Sequence, residues 1–188
     1  MFKKFSKEEI HSRSNIKSSV QRGLKANFVS LYPNIEQAID LVIPKKSQVI
    51  LIKCEDKIQL YSVDKSDEDG ENREIVMFQH FNDDLVPTLT TIHKFPEAFP
   101  RVQVDRGAIK FVLGGANIMC PGLTSPGAKL PDENIEEGKI VTVYAEGKEH
   151  ALAVGKLLMS TDDIKSKNKG HGVELIHYLG DGLWNYHD

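Results

Sequence analysis

Val104-Asp105-Arg106-Gly107-Ala108-Ile109-Lys110-Phe111-Val112-Leu113-Gly114-Gly115-Ala116-Asn117-Ile118-Met119-Cys120-Pro121-Gly122 sets short apolar runs between glycine and proline breaks. Val102 to Asp105 reads as a short strand. Ala108 to Leu113 reads as one or two helical turns ended by Gly114-Gly115, and Asn117 to Cys120 as a short apolar segment stopped by Pro121-Gly122. Glycine has no Cβ to hold a ligand away from the backbone, and a helix start offers N–H groups to a phosphate. The turn Arg106-Gly107-Ala108, with positive charge from Arg106 and Lys110, is therefore the first candidate RNA-binding site, although Gly107 serves equally well in a plain tight turn. Asn117 and Gly122, with the loop from Leu123 to Ala128, are the second. They either line a groove for an unstacked nucleotide end or belong to an ordinary surface turn. Met119 and Cys120 read as core.

Downstream, Lys139 to Ala145, His150 to Met159 and Val173 to Leu179 read as strands, and Gly147 marks a turn. Many short strands punctuated by Gly and Pro suggest a small β-barrel, with Trp184 expected to plug it or the joint between domains. The first half differs. Ile16, Val20, Leu24, Phe28 and Leu31 recur at three- and four-residue steps, one face of a helix over 15–31, with Ser14 as its cap and Pro33 past its end. Asn34 is expected to cap a second short helix through Val42. Val49 to Cys54, Ile58 to Val63 and Ile75 to Phe81 read as strands, Asp64 to Arg73 as a mobile acidic loop, and Leu85 to His93 as holding a short helix. Two prolines in Phe95-Pro96-Glu97-Ala98-Phe99-Pro100 stop both helix and ladder, which makes this the expected joint. The reading is an α+β protein, with a mixed α/β domain over 1–95 followed by a small barrel over 96–188.

The stretch quoted first resembles the signature of PUA domains: a strand ending in Asp, a Gly-Ala helix start, a Gly-Ala-Asn turn and an apolar strand ending in Pro-Gly. Glu137 to Val143, Ala153-Val154-Gly155 and Asn168 to Val173 resemble it too. In the first half, Phe2-Lys3-Lys4-Phe5, His11-Ser12-Arg13-Ser14, Ile43-Pro44-Lys45-Lys46-Ser47 and Lys53 to Tyr61 look like the malignant T-cell-amplified sequence family. Its fungal members are called translation-machinery-associated proteins. The segment around Asp67-Glu68-Asp69 is longer than that family's pattern. The resemblance implies a PUA β-barrel with RNA along its helix and neighbouring strands. It also implies a partner, the density-regulated protein with its SUI-type domain. With that partner it implies binding to the small (40S) ribosomal subunit, release of deacylated tRNA after termination, and reinitiation.

The 188 residues are 40% hydrophobic and 27% charged, the range of folded domains, and the net charge is −3. That charge favours an alternative, a protein-interaction adaptor that does not bind RNA, unless positive charge is concentrated locally. Two places offer this. Lys3, Lys4, Arg13, Lys17, Arg22 and Lys25 make the first 25 residues basic, for ribosome docking or as an ordinary helix exterior. Lys165, Lys167 and Lys169 alternate, so in an extended chain they share one face and suit phosphates of tRNA or rRNA, or simply face solvent. The two cysteines form no CxxC pair, which points to reduced thiols in the cytoplasm. No apolar run reaches the roughly 20 residues needed to span a bilayer. Cys120 with His171 or His177 is the sole thiol-and-base pairing worth weighing. Both cysteines sit in apolar runs, the two histidines are expected on one strand face, and no phosphate-loop or dinucleotide fingerprint is present. The expectation is no catalysis, no metal and no cofactor.

Overall fold

Antiparallel strands build the first sheet in sequence order: β1 (Ile10–Asn15), β2 (Val49–Cys54), β3 (Ile58–Asp64), β4 (Arg73–His80) and β5 (Val86–Pro87). The computed structural model describes residues 1–65 and 72–188. The expected acidic loop, with Asp67-Glu68-Asp69, falls largely on 66–71, outside the described residues; its flanks Asp64 and Arg73 end β3 and open β4. Helix α1 (Ser18–Leu31) buries Leu24 and Phe28, while Val20 is 53% exposed, so the apolar face is narrower than its spacing suggests. Ser14 does not cap it: Ser14 lies in β1, and Lys17 holds the N-cap position with no side-chain bond. Nor does Asn34 start a helix. Pro33–Ala38 is a 3-10 turn entered from Tyr32, followed by α2 (Ile39–Val42), and α3 (Leu89–Lys94) begins at Thr88, whose side chain accepts from Thr91 N–H. Thr88 also donates to Ile75 O at 2.8 Å, tying that cap to β4.

The second sheet runs β6–β8–β9–β10–β7, from β6 (Arg101–Val104), β7 (Ile118–Met119), β8 (Ile140–Ala145), β9 (Ala153–Leu157) and β10 (His171–Tyr178). Every residue of β8 is buried, and Val102, Val104, Val141, Val143, Leu157 and Val173 belong to one apolar core. β6 and β8 are parallel, and parallel neighbours need a long crossover. That crossover holds α4 (Ile109–Val112), β7 and α5 (Pro121–Thr124). After β9 comes α6 (Thr161–Lys167), capped by Ser160 accepting from Asp163 N–H and ended by Asn168 in the left-handed region. The chain finishes with α7 (Gly182–Asn185).

The chain divides into two units, Ser6–Ala98 with Asn185–Asp188, and Phe99–Trp184 with Met1–Phe5. Both mix sheet and helix, the expected α+β class. The division falls at 98/99, where 95/96 was expected, and the two chain ends change places. In the unit of 99–184, Phe2 is fully buried, its ring edge-on to Phe5 at 5.7 Å and to His177 at 6.0 Å. Gly182 N–H donates to Phe2 O at 2.8 Å, and a Cβ on Gly182 would lie 2.2 Å from Phe5 O. The expected plug, Trp184, is 37% exposed, whereas Phe2 is fully buried. In the unit of 6–98, the Asp188 side chain is 1% exposed and held by Arg13, by Ser62 Oγ, by Tyr186 OH at 3.1 Å and by Arg73 Nε at 3.5 Å.

Candidate nucleic-acid interface

β6 delivers Asp105 to the mouth of the crossover in an extended conformation, and the following turn is built on its carboxylate. Oδ1 accepts from Ala108 N–H at 3.1 Å, and Oδ2 accepts from Ser125 Oγ at 2.5 Å. Glu146 Oε2 accepts from Arg106 N–H at 3.2 Å. Two of the N–H groups expected to cradle a phosphate at this helix start therefore already serve carboxylates, whose charge would oppose one. Gly107 is not among the residues with positive φ. A Cβ there would crowd Asp105 Oδ1 at 3.1 Å, so glycine here answers to the cap rather than to a strained backbone.

Past this turn lies a cavity of about 550 Å³, within the size range of small-ligand sites. Gly107, Ala108, Asn117 and Gly122 all line it. Asn117 has a structural duty as well: its Oδ1 accepts from Leu175 N–H at 2.9 Å, beside the register shift between Leu175 and His177. At the start of the loop from Leu123, read either as a groove wall or as a surface turn, Pro121–Thr124 is helical and Leu123 is buried. Three further lining residues were not among the expected binding residues. Phe111 on α4 is 59% exposed, Met119 on β7 is 46% exposed, and His171 opens β10 opposite Met119. Met119 is thus wall rather than core, while Cys120 is fully buried as expected. The walls are mostly apolar, with Asp105, Asn117 and His171 as the polar groups.

Positive charge sits beside the cavity and not in it. Lys110 Nζ is 5.1 Å from the Phe111 ring centre. Arg106 is directed to the β8–β9 turn, where a Cβ on Gly147 would meet its Nη2 at 2.5 Å. Lys165 and Lys167 are not an alternating row, because they lie on α6. Lys165 Nζ donates to Pro131 O at 3.2 Å, and Lys167 pairs with Asp163 at 3.7 Å. Lys169 is exposed, two residues before His171.

The six expected docking residues are divided between the two units. Lys3 and Lys4 are exposed in the unit of 99–184. Arg13, on β1, bonds Asp188, and Lys25 Nζ is 2.5 Å from Asp40. Lys17 and Arg22 are exposed. His171 and His177 are separated by two register shifts in β10: one is exposed, and the other is buried with Nδ1 2.8 Å from Asp181 Oδ2. Burial pushes the Cys54 thiol up to about 11 and raises that of Cys120. Among the described residues, no group of three or more His, Cys, Asp or Glu is placed to hold a metal ion, and no helix is long and apolar enough to cross a membrane.

Residues 5–96 match the Pre-PUA-like domain family, and residues 99–182 match the elF2D PUA domain. Over 99% of its length the chain is 64% identical to translation machinery-associated protein 20 of Saccharomyces cerevisiae, covering 98% of that protein. It is 46% identical to malignant T-cell-amplified sequence 2 of Homo sapiens, covering 98% of this chain and 97% of the relative. Among solved structures, a hypothetical protein from Pyrococcus horikoshii superposes with a TM-score of 0.70 at 23% identity, over 92% of this chain and 98% of the other. A PUA domain protein from Thermoplasma acidophilum gives 0.63 at 20%, over 92% and 97%. At those identities the likeness describes the fold.

Proposed function

The chain belongs to the family of translation machinery-associated protein 20 and the malignant T-cell-amplified sequence proteins, and on that premise we propose that it is a non-enzymatic, cytoplasmic RNA-binding translation factor. In this reading the unit of 99–184 takes an unpaired nucleotide of tRNA or rRNA. The unit of 6–98 docks on the small ribosomal subunit. Together with the density-regulated protein, the chain acts in release of deacylated tRNA after termination and in reinitiation. The observation that carries it is the cavity bordered by exposed Phe111 with Lys110 beside the ring. A flat apolar wall next to a cation suits a splayed base and its phosphate. Against catalysis stand two buried thiols that burial keeps protonated.

Gly122 offers a clean test of the cavity. A Cβ there would stand 3.7 Å from Ile118 Cγ2, in ordinary contact, so Gly122→Ala is expected to melt with the wild type. The larger Gly122→Leu fills the space and is expected to weaken single-stranded RNA binding about ten-fold, the scale of one lost base stack. Unchanged affinity in a folded Gly122→Leu protein would remove the cavity from the reading.

The charge at the rim is tested on purified small ribosomal subunits across a salt series, with and without the density-regulated protein. Lys110→Glu is expected to lower the salt slope by about one. It is preferable to a change at Arg106, which sits beside Glu146. The net charge of −3 favours the adaptor alternative, and that reading gains if the folded protein binds its partner but neither RNA nor the subunit at any salt concentration.

A further inference from the structure

We propose that Lys3, Lys4 and Trp184 form a second RNA-contacting surface, the two ammonium groups taking backbone phosphates and the indole stacking on an unpaired base. The proposal rests on the RNA-binding reading above but not on the cavity. All three residues belong to the unit of 99–184. Phe5 N–H donates to Phe2 O at 3.2 Å, closing a turn that carries Lys3 and Lys4 at its tip. Phe2 and Phe5 are both buried, Phe2 packs on His177, and Asp181 fixes His177. A basic tip anchored by aromatic rings on both sides has little freedom left to lose when a ligand arrives, unlike a lysine pair on a loose terminus.

The aromatic element follows from the same anchor. Gly182 bonds Phe2 O, and Trp184 comes two residues later, its N–H donating to Asp181 Oδ1 at 2.8 Å. The indole retains enough exposure to offer a surface to solvent. Residues 1–5 carry two lysines and no carboxylate, and Asp181 is buried in its own hydrogen bonds. An acidic polypeptide would satisfy the lysines and leave the indole without a flat partner. A single strand of nucleic acid supplies both phosphate and base. The surface is separate from the cavity. The cavity meets β10 at His171 and the tip meets it at His177, about 20 Å further along at strand spacing.

Trp184 is the only tryptophan of the chain, so its emission reports this surface directly. The full chain is titrated with single-stranded oligoadenylate, following tryptophan emission and the anisotropy of end-labelled RNA together. The expected result is a change in emission with the same midpoint as the anisotropy. Lys3→Gln/Lys4→Gln, exposed and therefore unchanged in melting, should lower the salt slope by about 1.4, two single-strand phosphates. Trp184→Ala should weaken binding about ten-fold, with Trp184→Phe restoring most of it. Binding seen by anisotropy with emission unmoved and the lysine variant's slope unchanged overturns this surface and leaves the cavity standing. Emission and slope effects together with a silent Gly122→Leu leave this surface and remove the cavity. No binding by either measure overturns both.

Discussion

Gly182→Ala is expected to destabilise the unit of 99–184 by about 3 kcal/mol and lower its melting temperature by roughly 12–24 °C. The new methyl carbon would sit 2.2 Å from Phe5 O and 2.8 Å from Phe2 O. Both obstacles are backbone, so no side chain can swing aside, and the segment carrying Phe2 must lift away. Lifting it exposes Phe2, breaks the Gly182–Phe2 hydrogen bond and uncovers the His177–Asp181 pair. Each of these is costly, since fully burying one large apolar side chain is worth about 1.5–3 kcal/mol. The measurement is urea unfolding followed by Trp184 emission, with Gly122→Ala as the control that keeps its midpoint. A Gly182→Ala midpoint within about 0.5 kcal/mol of wild type, the scatter of neutral surface changes, would mean that Phe2 to Phe5 do not dock there.

Asp188→Ala is expected to cost the unit of 6–98 about 2–3 kcal/mol, through the loss of one partner from a buried ion pair. The figure falls below the roughly 3–5 kcal/mol of a fully buried pair because the orphaned Arg13 remains 40% exposed and can turn to water. Burial pushes the Asp188 carboxyl up, but hydrogen bonds from Arg13 and Ser62 and the arginine charge outweigh it, leaving it below its ordinary value. A depressed carboxylate contributes stability above its unfolded-state value, near pH 4, and loses that contribution as pH falls through the folded one. The gap between wild type and Asp188→Ala should therefore be widest near neutral pH and close on acidification below about pH 4. A gap that stays constant from pH 7 to below the carboxylate range would assign the loss to packing rather than charge.

What the sequence disclosed follows from where the driving forces act. β2, β3 and β8 were legible because short stretches dense in Val, Ile, Leu and Tyr have few other ways to be buried. β1 was not, because Ile10-His11-Ser12-Arg13-Ser14-Asn15 is an almost wholly exposed edge strand, joined to β2 by main-chain pairing that side-chain pattern does not record. The lysines at 165 and 167 were misread at a period of two, although Ser160-Thr161-Asp162-Asp163 ahead of them carries a helix-start signal that the structure uses. In the candidate interface, glycines and Asn117 were legible by spacing. Phe111 and Met119 were not, since an apolar residue in an apolar run reads as core until tertiary packing leaves it outside. Nothing local ties Arg13 to a residue 175 positions away.

The exchanged chain ends bear on how the protein is made. Residues 6–98 leave the ribosome before 99–184, yet their unit is completed only by Asn185–Asp188. Residues 1–5 wait for Gly182. At elongation rates of about 5–20 residues per second, the first sheet spends roughly 5–20 seconds without the carboxylate that neutralises Arg13 and Arg73, and Phe2 stays in water for most of synthesis. Each unit thus keeps one piece of its fold waiting for the segment that follows residue 181.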